Sequence, residues 1–171
     1  MLELGPLIRD VPDFPKKGIL FKDITTLLKN PRAFKQSIDQ LTDLVRVHAP
    51  PIVIGMESRG FIFAAPIAYQ LDAGFVPVRK LGKLPGEVIS TEYDLEYGTN
   101  TLELHRDAIG KGDRVLIVDD LLATGGTVSA TIELVERLEG KVVAVAFLVE
   151  LTALKGRDRL QGYEVISLLK V

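Results

Sequence analysis

The chain has no cysteine among its 171 residues. That excludes disulfides, thiol catalysis and zinc–thiolate sites, and it is compatible with a reducing cytoplasm. An excess of positive charge is lacking too: the formal net charge is −2. Nothing argues for a nucleic-acid surface. No apolar run approaches the length of a membrane span, so no membrane association is expected. The start, Met1-Leu2-Glu3-Leu4 and soon Arg9-Asp10, does not read as a secretory leader. Internal repeats and low-complexity segments are also missing. There are only two histidines: His48 ends a helix-like stretch, His105 lies near a strand end, and both read as structural. What remains is 47% hydrophobic, enough for a real core. The length fits a single domain over 1–171.

The richest segment is 115–127, Val-Leu-Ile-Val-Asp-Asp-Leu-Leu-Ala-Thr-Gly-Gly-Thr. Arg114 to Val118 is β-prone and largely apolar, as in a buried parallel strand. Asp119 and Asp120 are expected at its C-terminal end, facing solvent. Ala123-Thr124-Gly125-Gly126-Thr127 is a turn of small, hydroxyl and glycine residues. Apolar residues then recur with helical spacing at Val128, Ile132, Val135 and Leu138. Glycines let a backbone approach an anion, and a helix N-terminus offers free N–H groups. Two carboxylates at the entrance would repel a bare phosphate, but they accept hydrogen bonds from ribose hydroxyls, and a divalent cation offsets their charge. The chemistry therefore points to a ribose 5-phosphate. No Gly-Lys-Ser/Thr follows the loop, so it is not a Walker A loop, and the glycine spacing does not match a dinucleotide fold. An ordinary strand-to-helix turn with a capping Asp remains the plain alternative.

Along the chain, Leu4, Leu7 and Ile8 predict a short helix, and residues 11–19, with Pro12, Pro15 and Gly18, a loop. Asn30 as N-cap and Pro31 at the first helical position open a helix striped by Phe34, Ile38, Leu41 and Val45 and closed by Pro50-Pro51. Ile52–Met56 reads as a strand, Phe61–Leu71 as a helix with Pro66 a candidate kink, and Phe75–Val78 as a strand. Thr101–Leu104, Lys141–Leu151 and Tyr163–Leu169 are further strands. Lys155–Arg159 reads as a solvated loop. The alternation predicts an α/β fold, a mostly parallel twisted sheet flanked by helices on both faces, with the ligand outside the strands' C-terminal ends. The turn Glu57-Ser58-Arg59-Gly60 lies at another such end.

The signature run resembles the phosphoribosyl pyrophosphate motif of the type I phosphoribosyltransferases. Other segments extend the resemblance to the adenine phosphoribosyltransferase family along nearly the whole chain: Pro12-Asp13-Phe14-Pro15, Gly18 to Ile24, Glu57 to Phe61, Arg79-Lys80, Gly82 to Gly86, Leu95-Glu96-Tyr97-Gly98 and Leu148 to Leu151. This resemblance implies a reaction that makes AMP and pyrophosphate from adenine and phosphoribosyl pyrophosphate with magnesium (Mg2+), the metal being held mainly by the substrate. It also implies a homodimer.

Carried over to this sequence, Ala123, Thr124, Gly125, Gly126 and Thr127 hold the 5-phosphate, and Asp119 and Asp120 the ribose hydroxyls. The Ser58-Arg59 turn binds pyrophosphate, with Arg59 counted among the catalytic residues and Glu57 among the substrate-binding ones, and in the family the peptide before that Ser is typically cis. Arg79, Lys80 and Lys83 add positive charge. Phe21 is the stacking platform for adenine, with Leu20 and Lys22 reading the base edge through their backbones. A small hood spans about 80–104. Its residues 84–100, which in sequence lack an apolar face, resemble a mobile cover that brings Glu96, the acid/base, and its neighbour Tyr97 over the reacting centre. Glu150 matches the family without an assigned role. A different purine base, or a regulator that senses phosphoribosyl pyrophosphate on the same fold, are the alternatives. The first is opposed by the segment around Phe21, the second by the slightly acidic charge.

Overall fold

The structure is a computed structural model and describes residues 1–94 and 99–171. The chain divides into two compact units, Met1–Gln40 and Leu41–Val171.

In the first unit a 3-10 turn at Gly5–Leu7 precedes an antiparallel hairpin of β1 (Arg9–Pro12) and β2 (Leu20–Asp23). This hairpin is not apparent from the sequence, because each strand has only four residues and Pro12 ends the first. Of the stretch expected as loop, Val11 and Pro12 belong to β1, and Val11 pairs with Phe21. Asp13 adopts a positive φ of 57° and its Oδ1 accepts the Gly18 N–H at 2.6 Å, which closes the connecting loop. A short helix α1 (Thr25–Lys29) leads to α2 (Pro31–Val45), which begins in this unit and ends in the next. Its cap is the predicted one: Asn30 Oδ1 accepts from the N–H groups of Arg32 and Ala33, both at 3.1 Å. One 3-10 turn, Arg46–His48, extends the helix before the prolines stop it.

The second unit is a seven-stranded sheet with β3 (Ile52–Met56), β4 (Gly74–Lys80), β5 (Val88–Asp94), β6 (Thr99–His105), β7 (Arg114–Leu122), β8 (Lys141–Glu150) and β9 (Val165–Lys170) in the order β5-β6-β4-β3-β7-β8-β9. The strands from β4 to β9 in that order are parallel, while β6 and β5 add an antiparallel edge. Helices α3 (Gly60–Gln70) and α4 (Gly126–Arg137) cover opposite faces. Alternation along the strands explains why. Ile54, Met56, Val115, Ile117, Val145 and Phe147 join one cluster with Val128, Ile132 and Val135 of α4. Gly55 points the other way, where a Cβ would stand 2.7 Å from Ala64 Cβ and 2.9 Å from the Phe75 ring, so α3 packs where only glycine leaves room. Truncating a fully buried side chain such as Ile117 costs about 2–5 kcal/mol in such a core.

The segment 84–100 corrects one expectation. Residues Val88–Asp94 form β5, hydrogen-bonded to β6 in the same sheet. Ile89, only 6% exposed, joins Leu102, Leu104 and the α4 cluster. The segment therefore does have an apolar side, carried by Ile89 and the half-buried Tyr93, which the polar residues between and around them hide from a periodic pattern. Thr91 Oγ1 donates to Glu133 Oε1 at 2.8 Å and Arg137 Nη1 to the Ser90 carbonyl at 2.6 Å, which ties β5 to α4.

Candidate active site

The strand order fixes where a ligand can go. From β3 the chain crosses to β4 on one side and later to β7 on the other, so the crevice lies outside the C-terminal ends of β3 and β7. The turn Glu57-Ser58-Arg59 leaves β3 and the loop from Ala123 to Thr127 follows β7, whose last residues include Asp119 and Asp120, at this point.

Strand β7 continues four residues beyond Val118, in register with β8 up to Leu122↔Glu150. The acid pair therefore lies within the strand rather than after it, and the expectation that it faces solvent is not met: Asp120 is 4% exposed and Asp119 half-buried. Asp119 Oδ1 accepts the Asp120 N–H at 2.9 Å. Arg59 Nε stands 2.9 Å from Asp120 Oδ2, an ion pair that lies off the line of a hydrogen bond. Burial pushes the Asp119 carboxyl well above the usual carboxylate range, and the Asp120 charge beside it pushes the same way. Burial raises Asp120 as well, against the pull of Arg59. Gly60 makes this approach possible, since a Cβ there would stand 2.8 Å from Asp119 Oδ1 and 3.1 Å from the Val118 carbonyl.

After β7, Gly125 adopts φ +84° and Gly126 opens α4, so the first free N–H groups of a twelve-residue helix close the loop. Asp119, the backbone from Ala123 to Val128, and Phe147 line a small cleft of about 60 Å³. The free N–H groups and positive dipole end at the start of α4 suit an anion at this cleft.

The peptide Glu57–Ser58 is cis, at the bond the resemblance implied. The Glu57 carboxylate is turned back onto the sheet: Oε2 accepts the Lys80 N–H at 2.9 Å and Arg79 Nε at 3.0 Å. Those contacts, the Lys80 N–H first, hold its carboxyl below the usual range. Glu57 thus brackets Arg79 at the end of β4, and the Arg79 guanidinium also lies 6.0 Å from the centre of the Phe61 ring. Lys80, the last residue of β4, and Lys83 in the turn that follows are exposed, and the Lys83 N–H bonds the Lys80 carbonyl at 3.2 Å.

The second unit thus brings together the turn at Glu57, Ser58 and Arg59, the end of β4 at Arg79 and Lys80, the acid pair and the loop. Leu20, Phe21 and Lys22 belong to the first unit. There Phe14 meets Phe21 at 5.2 Å and 73°, Lys22 Nζ pairs with Asp10 Oδ1 at 2.6 Å, and Leu20 is exposed. Glu96 and Tyr97 lie outside the described residues. Both histidines have neighbours the sequence did not show: His105 Nε2 lies 2.8 Å from the Pro85 carbonyl, and His48 Nε2 lies 3.5 Å from Glu164 Oε1.

Residues 23–169 match the phosphoribosyl transferase domain. The adenine phosphoribosyltransferase of Halothermothrix orenii is 56% identical over 169 residues, covering 99% of each chain. The chain belongs to the adenine phosphoribosyltransferase family. Its fold agrees closely with solved members of that family. The crystal structure of the Thermoanaerobacter pseudethanolicus adenine phosphoribosyltransferase superposes with a TM-score of 0.95 at 55% identity, covering 98% of each chain. The Saccharomyces cerevisiae enzyme, complexed with adenine and an imino-altritol bisphosphate, gives 0.91 at 41% identity over 96% of each chain. Among the described residues no helix is long and apolar enough to cross a membrane.

Residues 155–159, expected as a solvated loop, correct another reading. Gly156–Leu160 is a 3-10 segment with Gly156 and Leu160 buried. It carries no periodic signal, because its two buried positions are four apart in a run otherwise made of charges.

Proposed function

We propose that the protein transfers the 5-phosphoribosyl group of phosphoribosyl pyrophosphate to N9 of adenine, giving AMP and pyrophosphate in purine salvage. The bond from the ribose anomeric carbon to the pyrophosphate oxygen breaks, its electron pair leaves with pyrophosphate, and a bond from N9 to that carbon forms. The observation that carries this reading is the junction at the switch point, where an anion seat, an acid pair and a cationic turn meet on the adjacent strands β3 and β7. Few ligands other than a phosphorylated ribose bearing a second anion satisfy all three.

The loop from Ala123 to Thr127 takes the 5-phosphate on backbone N–H groups and the hydroxyls of Thr124 and Thr127. Asp119 and Asp120 accept the ribose hydroxyls. Ser58, Arg59, Arg79, Lys80 and Lys83 neutralise charge as it builds on the departing pyrophosphate, the step that gains most from donors fixed in advance. Glu57 orients Arg79. Phe21 stacks on adenine, worth about 1–3 kcal/mol, while the backbones of Leu20 and Lys22 read its edge. Residues 84–100, with Glu96 and Tyr97, cover the reacting centre and keep water from the oxocarbenium-like carbon.

Magnesium fits this donor set in one way. Asp119 and Asp120 are hard oxygen donors of the kind it takes, but Arg59 already offsets part of their charge, so the ion would be held mainly by the substrate, with this pair as the donors the protein could add. Bound there, it would neutralise charge on the leaving group. We further propose a cytoplasmic homodimer.

A base panel tests the proposal. The protein is incubated with magnesium and phosphoribosyl pyrophosphate plus each purine in turn, and pyrophosphate release is measured. Release with adenine alone is expected. Release with every purine alike, or with none, defeats it.

A further inference from the structure

The mechanism leaves one buried charge cluster unused. Glu150, the last residue of β8, is 5% exposed and paired in register with Leu122, the last of β7. A carboxylate at that depth requires partners. Arg157 provides a two-point fork, with Nε 2.6 Å from Oε1 and Nη2 2.8 Å from Oε2. Ser167 Oγ donates to Oε2 at 2.6 Å, and Arg157 Nη1 donates to the Val165 carbonyl at 2.9 Å. One guanidinium therefore ties the end of β8, the strand β9 and its own 3-10 segment together. The Arg157 hydrogen bonds, and then that of Ser167, hold the Glu150 carboxyl below the usual range, so the cluster stays charged at neutral pH.

The residue before Arg157 is Gly156, and Gly156 lies against the back of the phosphate loop. A Cβ on it would stand 2.3 Å from the Ala123 carbonyl oxygen and 2.9 Å from Leu122 Cδ1. From the other side, a Cβ on Gly125 would stand 2.7 Å from the Gly156 carbonyl oxygen. Two backbones touch here, and glycine on each side is the condition for it. The contact has a directional consequence. In a trans peptide the C=O and the following N–H point opposite ways. With the Ala123 carbonyl turned toward Gly156, the Thr124 N–H is turned away from it. Where Gly156 stands therefore decides where a loop donor aims.

A buried ion pair is weak grounds for stability, since well-packed apolar groups do as well or better; fixing one arrangement among several is its better-attested use. We infer that Glu150, Arg157 and Ser167 are positioning residues: they clamp Gly156 against Ala123 and Gly125, and so set the N–H groups that receive the phosphomonoester of the ribose. The inference rests on the reading of that loop as the 5-phosphate seat.

The test separates the two phosphate-binding ends of the crevice. The intact protein is titrated calorimetrically with ribose 5-phosphate and, separately, with magnesium pyrophosphate. For Arg157→Met, the Kd for ribose 5-phosphate should rise at least about ten-fold while that for pyrophosphate stays within about two-fold, as small misplacements of binding groups cost rates and affinities on this scale. Arg157→Lys keeps the charge but not the fork and should fall between. Gly156→Ala, which forces the contact apart without touching the charges, should reproduce the selective loss. Equal weakening of both ligands in folded protein, or unchanged ribose 5-phosphate binding, overturns the inference. Should Arg157→Met fail to fold, the same ratio in Arg157→Lys decides. If the parent protein binds neither ligand, the reading of the loop falls first, and this inference with it.

Discussion

Arg59 Nε stands 2.9 Å from Asp120 Oδ2, and this contact joins the turn after β3 to the end of β7. It places a cation from the proposed pyrophosphate side on an anion from the proposed ribose side. The pair cannot be read as two separate sites, because the Arg59 charge acts on both carboxyls, drawing Asp119 and Asp120 down against the burial that raises them.

Asp119→Asn should therefore make the ligand-free protein more stable and the enzyme slower. The Asp119 carboxyl is raised by burial and by Asp120. A raised acid contributes stability below its unfolded value, about 3.9, and that contribution is lost as pH rises through the folded value. At pH 7 the ionised group is thus a cost that asparagine removes, while the Oδ1 acceptor for the Asp120 N–H is kept. Thermal unfolding at pH 7 should shift upward by about 2–4 °C for each kcal/mol recovered in a chain of this length. The gain should vanish near pH 4. Turnover should fall, as a charge-assisted hydrogen bond to ribose is worth about 1.5–3 kcal/mol. A variant that melts below the parent at pH 7 would show that the pair is satisfied as it stands.

Glu57→Gln should act through Arg79. The carboxylate holds Arg79 Nε and the Lys80 N–H at once. The amide loses the charge and leaves the guanidinium loose, so KM for phosphoribosyl pyrophosphate should rise about ten-fold with KM for adenine little changed. The Glu57 carboxyl is lowered, so its contribution to stability is present above about 4.3 and is lost as pH falls through the folded value. The variant should accordingly show a shallower loss of stability in acid. Equal changes in both KM values would mean that Glu57 supports the fold at large.

The strand β5 should exchange its amides slowly where they bond to β6, and Glu133→Ala should speed that exchange. Thr91 and Ser90 are fastened to Glu133 and Arg137 of α4, and Ile89 is buried. Hydrogen exchange followed by mass spectrometry reads this peptide directly. Fast exchange throughout 88–94 in the parent would put the segment back in the exposed, loosely held form its composition suggests.

What the sequence disclosed and what it hid follow one rule. Elements with long periodic patterns or strong end signals are legible: the Asn30–Pro31 cap, the Ile52–Met56 strand, the strand, loop and helix around Gly125-Gly126. Their signals are local. Contacts made by one residue each, across long separations, are not legible. Ile89 in β5, the Val11↔Phe21 pairing and the burial of Asp120 depend on what the rest of the chain places opposite them. Gly156 reads as part of a solvated loop, and nothing in the sequence shows that its backbone touches that of Gly125. Glu150 could be matched to the family from sequence, but its fork to Arg157 spans seven residues across an irregular segment and has no periodic signature.

The last expectation concerns the proton. Neutral adenine carries one imidazole proton, on N9 or N7, and it must leave as N9 bonds to the ribose carbon, or the product stays cationic. The resemblance of Leu95-Glu96-Tyr97-Gly98 to the family segment assigns that proton to Glu96. Under the proposed cover the carboxylate would lose water and so become a stronger base. Glu96→Gln keeps the shape but cannot accept a proton. Turnover should drop about 10²–10⁴-fold, with the affinity for phosphoribosyl pyrophosphate nearly intact, because the loop, the acid pair and the cationic turn proposed to bind it are untouched. The acid limb of the kcat profile, which reports the base in the bound complex, should disappear in the variant. Single-turnover measurements are needed, since slow product release would mask a change in the chemical step. Parent-like single-turnover rates in Glu96→Gln would move the proton to Tyr97 or to water and leave Glu96 as a surface residue of the hood.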